Sequence, residues 1–398
     1  MLEVNSFEND VMEAERMPTF TGRVIFQYFY DAGGELILEK VPKEKINLIE
    51  LHRKKARFLA PKYEEIGLEP IIVDLGAKKI DGHKMTFQGR IFPIGVIGIY
   101  SIIEFRNLSF DGLIKLVTLN ERRVKIKGKE MEFDEVPLEL FKELSKIVEP
   151  ALAFPYPAFE RPEIYTLILI AESEPSLGAQ DFLGRYAKPV AGVLRGEKNW
   201  RSLGEKEVKD ALKLYLSYSD DDIVLVDWYS TLMSGAVEYT DELVRIIEMA
   251  KIQLLELKTY DKILGQRIER SYSSLRFAFS SPRMGITWMS KSYNELVKAT
   301  TELADARVEI TNLVEDLRNI LKFTGDWYLG KLYNITSERF RIPDWLSFVD
   351  KKLDRLQEIY TMAMERVDVH RATTLEFLSV LLVLAIVVLE IILVLKGI

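Results

Sequence analysis

The sequence predicts an α+β protein: a mixed α/β domain towards the N-terminus, then long helices with coiled-coil-like patterning, then one transmembrane helix. Three observations carry this. Short runs rich in β-branched residues alternate with helical stretches as far as Trp228, the hydrophobic period then changes from two to seven, and Leu375 to Leu395 is almost uninterruptedly apolar. At 398 residues the chain exceeds the usual range of one small core, so more than one structural unit is expected.

The first stretch, "MLEVNSFENDVMEAERM", is acidic and has no apolar core region, unlike a signal peptide or an Arg-rich transit peptide. Residues 1–20 are read as a tail, and the bulk of the chain is expected in the cytoplasm. From Thr21 the strand candidates are "GRVIFQYFY", "EPIIVDLG", "GVIGIYSIIEF", "RRVKIKG", "EIYTLILIAE" and "DDIVLVDWY". Helix candidates lie near Lys45 to Phe58, Phe110 to Leu119, Pro137 to Val148 and Glu205 to Ser217. The proline-rich "EPALAFPYPAFERPE" breaks regular structure and is read as a boundary between two lobes, 21–150 and 151–235.

Beyond Trp228 apolar residues step by fours and threes. Leu243, Ile247, Ala250, Leu254, Leu257, Leu264 and Ile268 form one row, with Asp261 in an expected apolar place. A second row is Leu303, Ala306, Ile310, Leu313, Leu317 and Ile320; "FSSPRMGITWMS" between the two predicts a reversal, hence a helical hairpin over 236–335. The third row starts after Pro343 and Asp344 and runs Leu346, Val349, Leu353, Leu356, Tyr360, Ala363 and Val367. It predicts a stalk helix over 344–374, continuing into a transmembrane helix over 375–396. At about 1.5 Å per residue, such a helix would be roughly 80 Å long.

A net charge of −7 opposes sequence-specific nucleic-acid binding, which rests on basic residues at phosphates. With no cysteine and three histidines (His52, His83, His370), thiolate chemistry is excluded and nitrogen ligands are few. Abundant Lys, Glu and Ile resembles a thermophile composition. Phosphate-loop, dinucleotide, nucleophile-elbow and zincin motifs are absent, so no catalytic, cofactor or metal residue is assigned and no enzyme is expected. Gly95 and Gly98 read as close backbone packing in a strand. The basic "LHRKKARFLAPK" reads as a solvated helix face, and "VLVDWYS" as a buried aromatic beside a capping acid. Asp261 reads as a register-setting polar residue.

Within the apolar run, Glu376, Val383 and Glu390 are seven apart and with Ser379 form one stripe. An ionisable group inside a membrane costs on the order of 3 kcal/mol at the centre and faces protein or water, or snorkels. At about 100° per residue this stripe lies roughly 130° from the stalk seam, so one straight helix does not aim both at one partner: either the helix turns near Arg371 to Thr374, or the acidic face meets a second neighbour. Lipid and a second copy of the chain are the expected partners. Placed at the far end of the chain, the span predicts a single-pass, tail-anchored protein of the cell membrane.

The order of these parts, with "DWYSTLMSGAVEYTDELVRIIEMAKIQLLELKTYD" in the middle and "LEFLSVLLVLAIVVLEIILVL" at the end, resembles the "required for meiotic nuclear division" family. Leu375, Glu376 and Phe377 stand where that family commonly has Leu-Glu-Trp, and Glu390 falls near its later membrane acid. The resemblance implies a membrane-anchored, homo-oligomeric scaffold, with a large partner such as the ribosome. Two function classes follow: a non-enzymatic, self-associating membrane scaffold, or an oligomeric ion channel resembling CorA-type divalent-cation transporters. The second requires two spans and a Gly-Met-Asn tripeptide; this sequence has one apolar run and no such tripeptide.

Overall fold

The computed structural model describes residues 17–49, 69–126, 128–153, 155–158, 161–235, 239–280 and 327–395, with single residues 298, 301 and 304. The backbone clusters into two units, one of 1–256 with 319–343 and one of 257–318 with 344–398.

The first unit is built on one ten-stranded sheet in the order β10-β11-β12-β9-β1-β5-β4-β3-β6-β7. Its middle is β1 (Thr19–Asp31), flanked by β5 (Val96–Leu108) and β9 (Glu163–Glu174), both antiparallel to it. On one side follow β4 (His83–Ile91), β3 (Ile71–Ile80), β6 (Arg123–Ile126) and β7 (Lys129–Glu132). On the other lie β12 (Ser230–Ser234), parallel to β9, then β11 (Ile223–Val226) and β10 (Tyr215–Leu216). A separate two-stranded sheet joins β2 (Glu35–Leu36) to β8 (Leu152–Ala153). The proline-rich segment, expected to separate two lobes, instead lies between strands that share the large sheet: β1 pairs with β5 from before it and β9 from after it.

Alternation along β1 sorts its side chains to opposite faces. Val24, Phe26, Tyr28 and Tyr30 enter a continuous apolar core with α1 (Phe110–Val117), α2 (Glu135–Val148) and α3 (Ala187–Arg195). Tyr30 stacks on Phe141 of α2 at 4.3 Å, and Phe20 meets Phe110 of α1 edge-on at 4.8 Å. Ser109 caps α1 by accepting from the Gly112 amide. The other face, carrying Gln27 and Phe29, is covered by α5 (Thr240–Ser280) and α6 (Trp327–Phe340).

Several expectations are corrected. Residues 46–49 are extended rather than helical, and the rest of that predicted helix, with the basic "LHRKKARFLAPK", lies outside the described residues. Helix α4 (Glu205–Ala211) stops early because the chain turns at Leu212 to supply edge strand β10. Gly95 is not in the strand: it takes a left-handed φ of 87° in the turn before β5, where a Cβ would lie 2.2 Å from the Gly34 carbonyl oxygen. Gly98 does sit in β5, and a Cβ there would strike the Tyr100 ring at 2.8 Å.

The seven-residue pattern holds where it can be followed. Leu243, Ile247, Ala250, Leu254, Leu257, Leu264 and Ile268 of α5 are all buried. Helix α7 (Ile342–Leu395) runs unbroken for 54 residues, and Arg341, at φ 56°, forms a one-residue joint between α6 and α7. In the second unit Val349, Leu356 and Ile359 of α7 are buried, while Leu346, Leu353 and Tyr360 are partly so. The second predicted row, 303–320, lies outside the described residues apart from single positions, as does the hairpin's reversal.

Candidate functional site

Three arrangements stand out, two in the first unit and one in the second. In the first unit, Asp227 directly follows β11, and its amide donates to the Ser230 carbonyl across the β11–β12 turn at 2.9 Å. That turn drives the carboxylate inward, where it is fully buried. Arg195, the last residue of α3, donates from Nε to Asp227 Oδ2 at 3.0 Å and from Nη2 to Asp210 Oδ2 at 2.6 Å, and also binds Glu207. Arg339 of α6 lies against the same acid: Nη1 is 3.3 Å from Asp227 Oδ1, a charge contact without hydrogen-bond geometry, and Nη2 donates to the Asp210 carbonyl at 2.7 Å. Tyr165 donates to the Asp227 carbonyl at 2.9 Å and shares a 2.8 Å hydrogen bond with Thr231.

The charges follow from these positions. Burial pushes the Asp227 carboxyl up, against the pull of both guanidiniums. Desolvation also acts upward on Asp210, but hydrogen bonds and charge from Arg195 and Arg339 outweigh it and hold that carboxyl below its ordinary value. Burial acts downward on the Arg195 guanidinium and is outweighed by Asp227, Asp210 and Glu207, so its net direction is up. Through these contacts the cluster fixes α3, α4 and α6 to the end of β11. Trp228 and Tyr229 are exposed, contrary to the expected buried aromatic, and Asp227 pairs with arginines rather than capping a helix.

A second buried pair lies further along the same sheet face. Arg90 of β4 donates from Nη1 to both Glu248 carboxylate oxygens of α5, at 2.9 and 2.7 Å, and its guanidinium lies 4.4 Å from the Tyr100 ring centre. Lys251 Nζ sits over the Tyr165 and Phe340 rings at 4.6 and 4.2 Å, with Glu163 at 3.8 Å. Tyr333 of α6 donates to Gln253, and burial pushes its phenol up to about 12. Spacing along α5 marks its apolar row but not these charged residues, because a buried charge looks like surface until its partner is known.

In the second unit Asp261, singled out from the seam, meets Lys352 of α7: Nζ lies 2.6 Å from the carboxylate and donates to the Asp261 carbonyl at 2.7 Å. Lys258 over Trp345 and Arg355 over Tyr272 are further contacts of the same two helices. The pairings rise together along both chains, so these parts of α5 and α7 run parallel. Leu375–Leu393, 19 residues of α7, is long and apolar enough to cross a membrane, and none of it is buried. Glu376, Ser379 and Glu390 are all exposed there, and Ser379 donates to the Glu376 carbonyl at 2.7 Å. Among the described residues no group of three or more His, Cys, Asp or Glu could hold a metal ion.

Comparison with known proteins gives a family. The family described as "Uncharacterized protein MJ0711, N-terminal domain" matches residues 21–240, which takes in the ten-stranded sheet apart from the first two residues of β1. The chain belongs to that family. It is 27% identical over 267 residues to uncharacterized protein MJ0711 of Methanocaldococcus jannaschii, an alignment covering 66% of this chain and 75% of the archaeal one. No solved structure matches. The family match brings the Asp227 cluster, apart from Arg339, inside the domain that defines it.

Proposed function

We propose that this chain is a non-enzymatic, self-associating scaffold, anchored in a membrane by Leu375–Leu393, with its α/β domain held on the cytoplasmic side. One observation carries the reading: a single helix, α7, packs at one end through Val349, Lys352, Leu356 and Ile359, and at the other presents a 19-residue, predominantly apolar stretch with none of it buried. Leaving one leucine or valine in water rather than buried costs about 1.5–3 kcal/mol, so this stretch together forgoes tens of kcal/mol. A bilayer supplies that burial, and about 28 Å of helix suits a hydrocarbon core of roughly 30 Å. The seven-residue rows and the polar stripe on the span support self-association. The resemblance to the "required for meiotic nuclear division" family extends the reading to a large cargo such as the translation machinery.

The test is fractionation followed by sedimentation. The full chain is expected to stay in the membrane pellet through an alkaline carbonate wash, to be released by detergent, and to sediment as a multimer at micromolar concentration. Release by carbonate, or a monomer in detergent, refutes the proposal.

A further inference from the structure

The span has two chemically different sides. Taking Val383 as reference and about 100° per residue, Glu376, Ser379, Val380, Ile386, Val387 and Glu390 all fall within roughly 60° of it. This strip holds every polar side chain of the span and three of its valines, and no leucine; the leucines from Leu375 to Leu395 all lie outside it. An open groove of about 330 Å³ follows the strip, lined by Ser379, Val380, Val383, Leu384 and Val387.

We infer that this strip is a helix-packing surface inside the membrane, and that its occupant is the same strip of a second copy of the chain, running parallel. The inference rests on the membrane-anchored reading above. Three physical points select the occupant. In a helix, valine and isoleucine are held in one dominant rotamer, so packing them costs little side-chain entropy, whereas leucines serve equally well against lipid. Within hydrocarbon, a carboxyl at the depth of Glu390 needs a hydrogen-bonding neighbour, and Glu376 and Glu390 stand about 21 Å apart along the axis. Copies inserted in one orientation bring each carboxyl to the same depth as its own counterpart, and place valine on valine between them. The buried seam of α7 between Val349 and Ile359 already has its neighbour in α5 through Lys352 and Asp261, so the strip adds a second, separate contact surface.

The absence of cysteine makes the test direct. Single cysteines at Val383, Val387, Leu382 and Leu389 in the full chain are oxidised in native membranes. Crosslinks between copies are expected at Val383 and Val387, about tenfold stronger than at Leu382 and Leu389. Glu390→Gln, which keeps a donor and an acceptor, should retain association in detergent, while Glu390→Leu should weaken it about tenfold. Equal crosslinking all round the helix, capture of Val383→Cys only by a different protein, or no span crosslink in a chain that still sediments as a multimer would each overturn the inference. The last result leaves the scaffold reading standing; a chain that is monomeric throughout removes both.

Discussion

The two faces of the ten-stranded sheet are made of different material. Towards α1, α2 and α3 the sheet offers Val24, Phe26, Tyr28, Ile97, Ile99, Ile103, Ile168 and Ile170, a core packed mainly by apolar contact, with the Tyr28 hydroxyl donating to Asp134 at its margin. Towards α5 and α6 the same strands offer Gln27, Tyr100, Tyr165 and Arg90, and α5 answers with Glu248, Lys251 and Gln253. A close-packed apolar face tolerates substitutions that conserve volume. A face of buried charges does not, since each group is stable only while its partner is present. Polarity thus separates the two faces from each other, but it does not separate buried from exposed.

That contrast can be broken most sharply at Arg90. Replacing it by methionine keeps much of the volume but removes the guanidinium from the fully buried Glu248, and a loss of about 3–5 kcal/mol is expected in denaturant unfolding. Adding Glu248→Leu should recover most of that loss, and a double variant as unstable as the single one would show that shape, not charge, rules this face. On the opposite face Leu113→Met should cost less than about 1.5 kcal/mol in the same assay. A larger loss there would erase the distinction between the faces.

Acidification sharpens the picture at the edge of the charged face. Asp210 is held below its ordinary value, so its contribution is fully present above the unfolded value and is lost as pH falls through the folded one. Asp227, pushed up by burial, acts in the opposite sense: the folded chain takes up that proton first, and the cost of its buried charge is relieved as pH falls. The thermal midpoints of wild type and Asp210→Asn should therefore converge below the ordinary aspartate value, and parallel curves would contradict the assignment. The smallest effect is expected at Lys352→Met, below about 1 kcal/mol because the pair with Asp261 is partly in water. Faster amide exchange confined to α7 around Val349 to Ile359 is the readout.

Period reading recovered the apolar skeleton well. The rows around Leu243 to Ile268 and Val349 to Leu356, the apolar span, and six of the strands all stand where alternation or seven-residue spacing puts them. It missed β4, where "HKMTFQGRI" alternates but carries Lys84, Gln88 and Arg90 on one side and so looks like loop. Strand β12 was hidden because "STLMS" is short and polar, although all five of its residues are buried beside β9. The Asp227 cluster was half legible: the acid drew notice, but Arg195 and Arg339 lie 32 and 112 positions away, and only the fold brings them to it. Asp261 was found because it interrupts a pattern, whereas Arg90 and Glu248 interrupt none.

The position of β1 also bears on how the chain is made. It is the first strand described here and the central one, yet its two neighbours end at Leu108 and Glu174. A ribosome adding roughly 5–20 residues per second therefore leaves a strand reading "VIFQYFY" without its second edge partner for on the order of 10–30 s. During that interval the nascent chain carries a bare, aromatic, hydrogen-bonding edge, and two neighbouring ribosomes on one message could pair such edges with each other. Early chaperone contact, before β9 emerges, would protect the sheet at its most exposed moment.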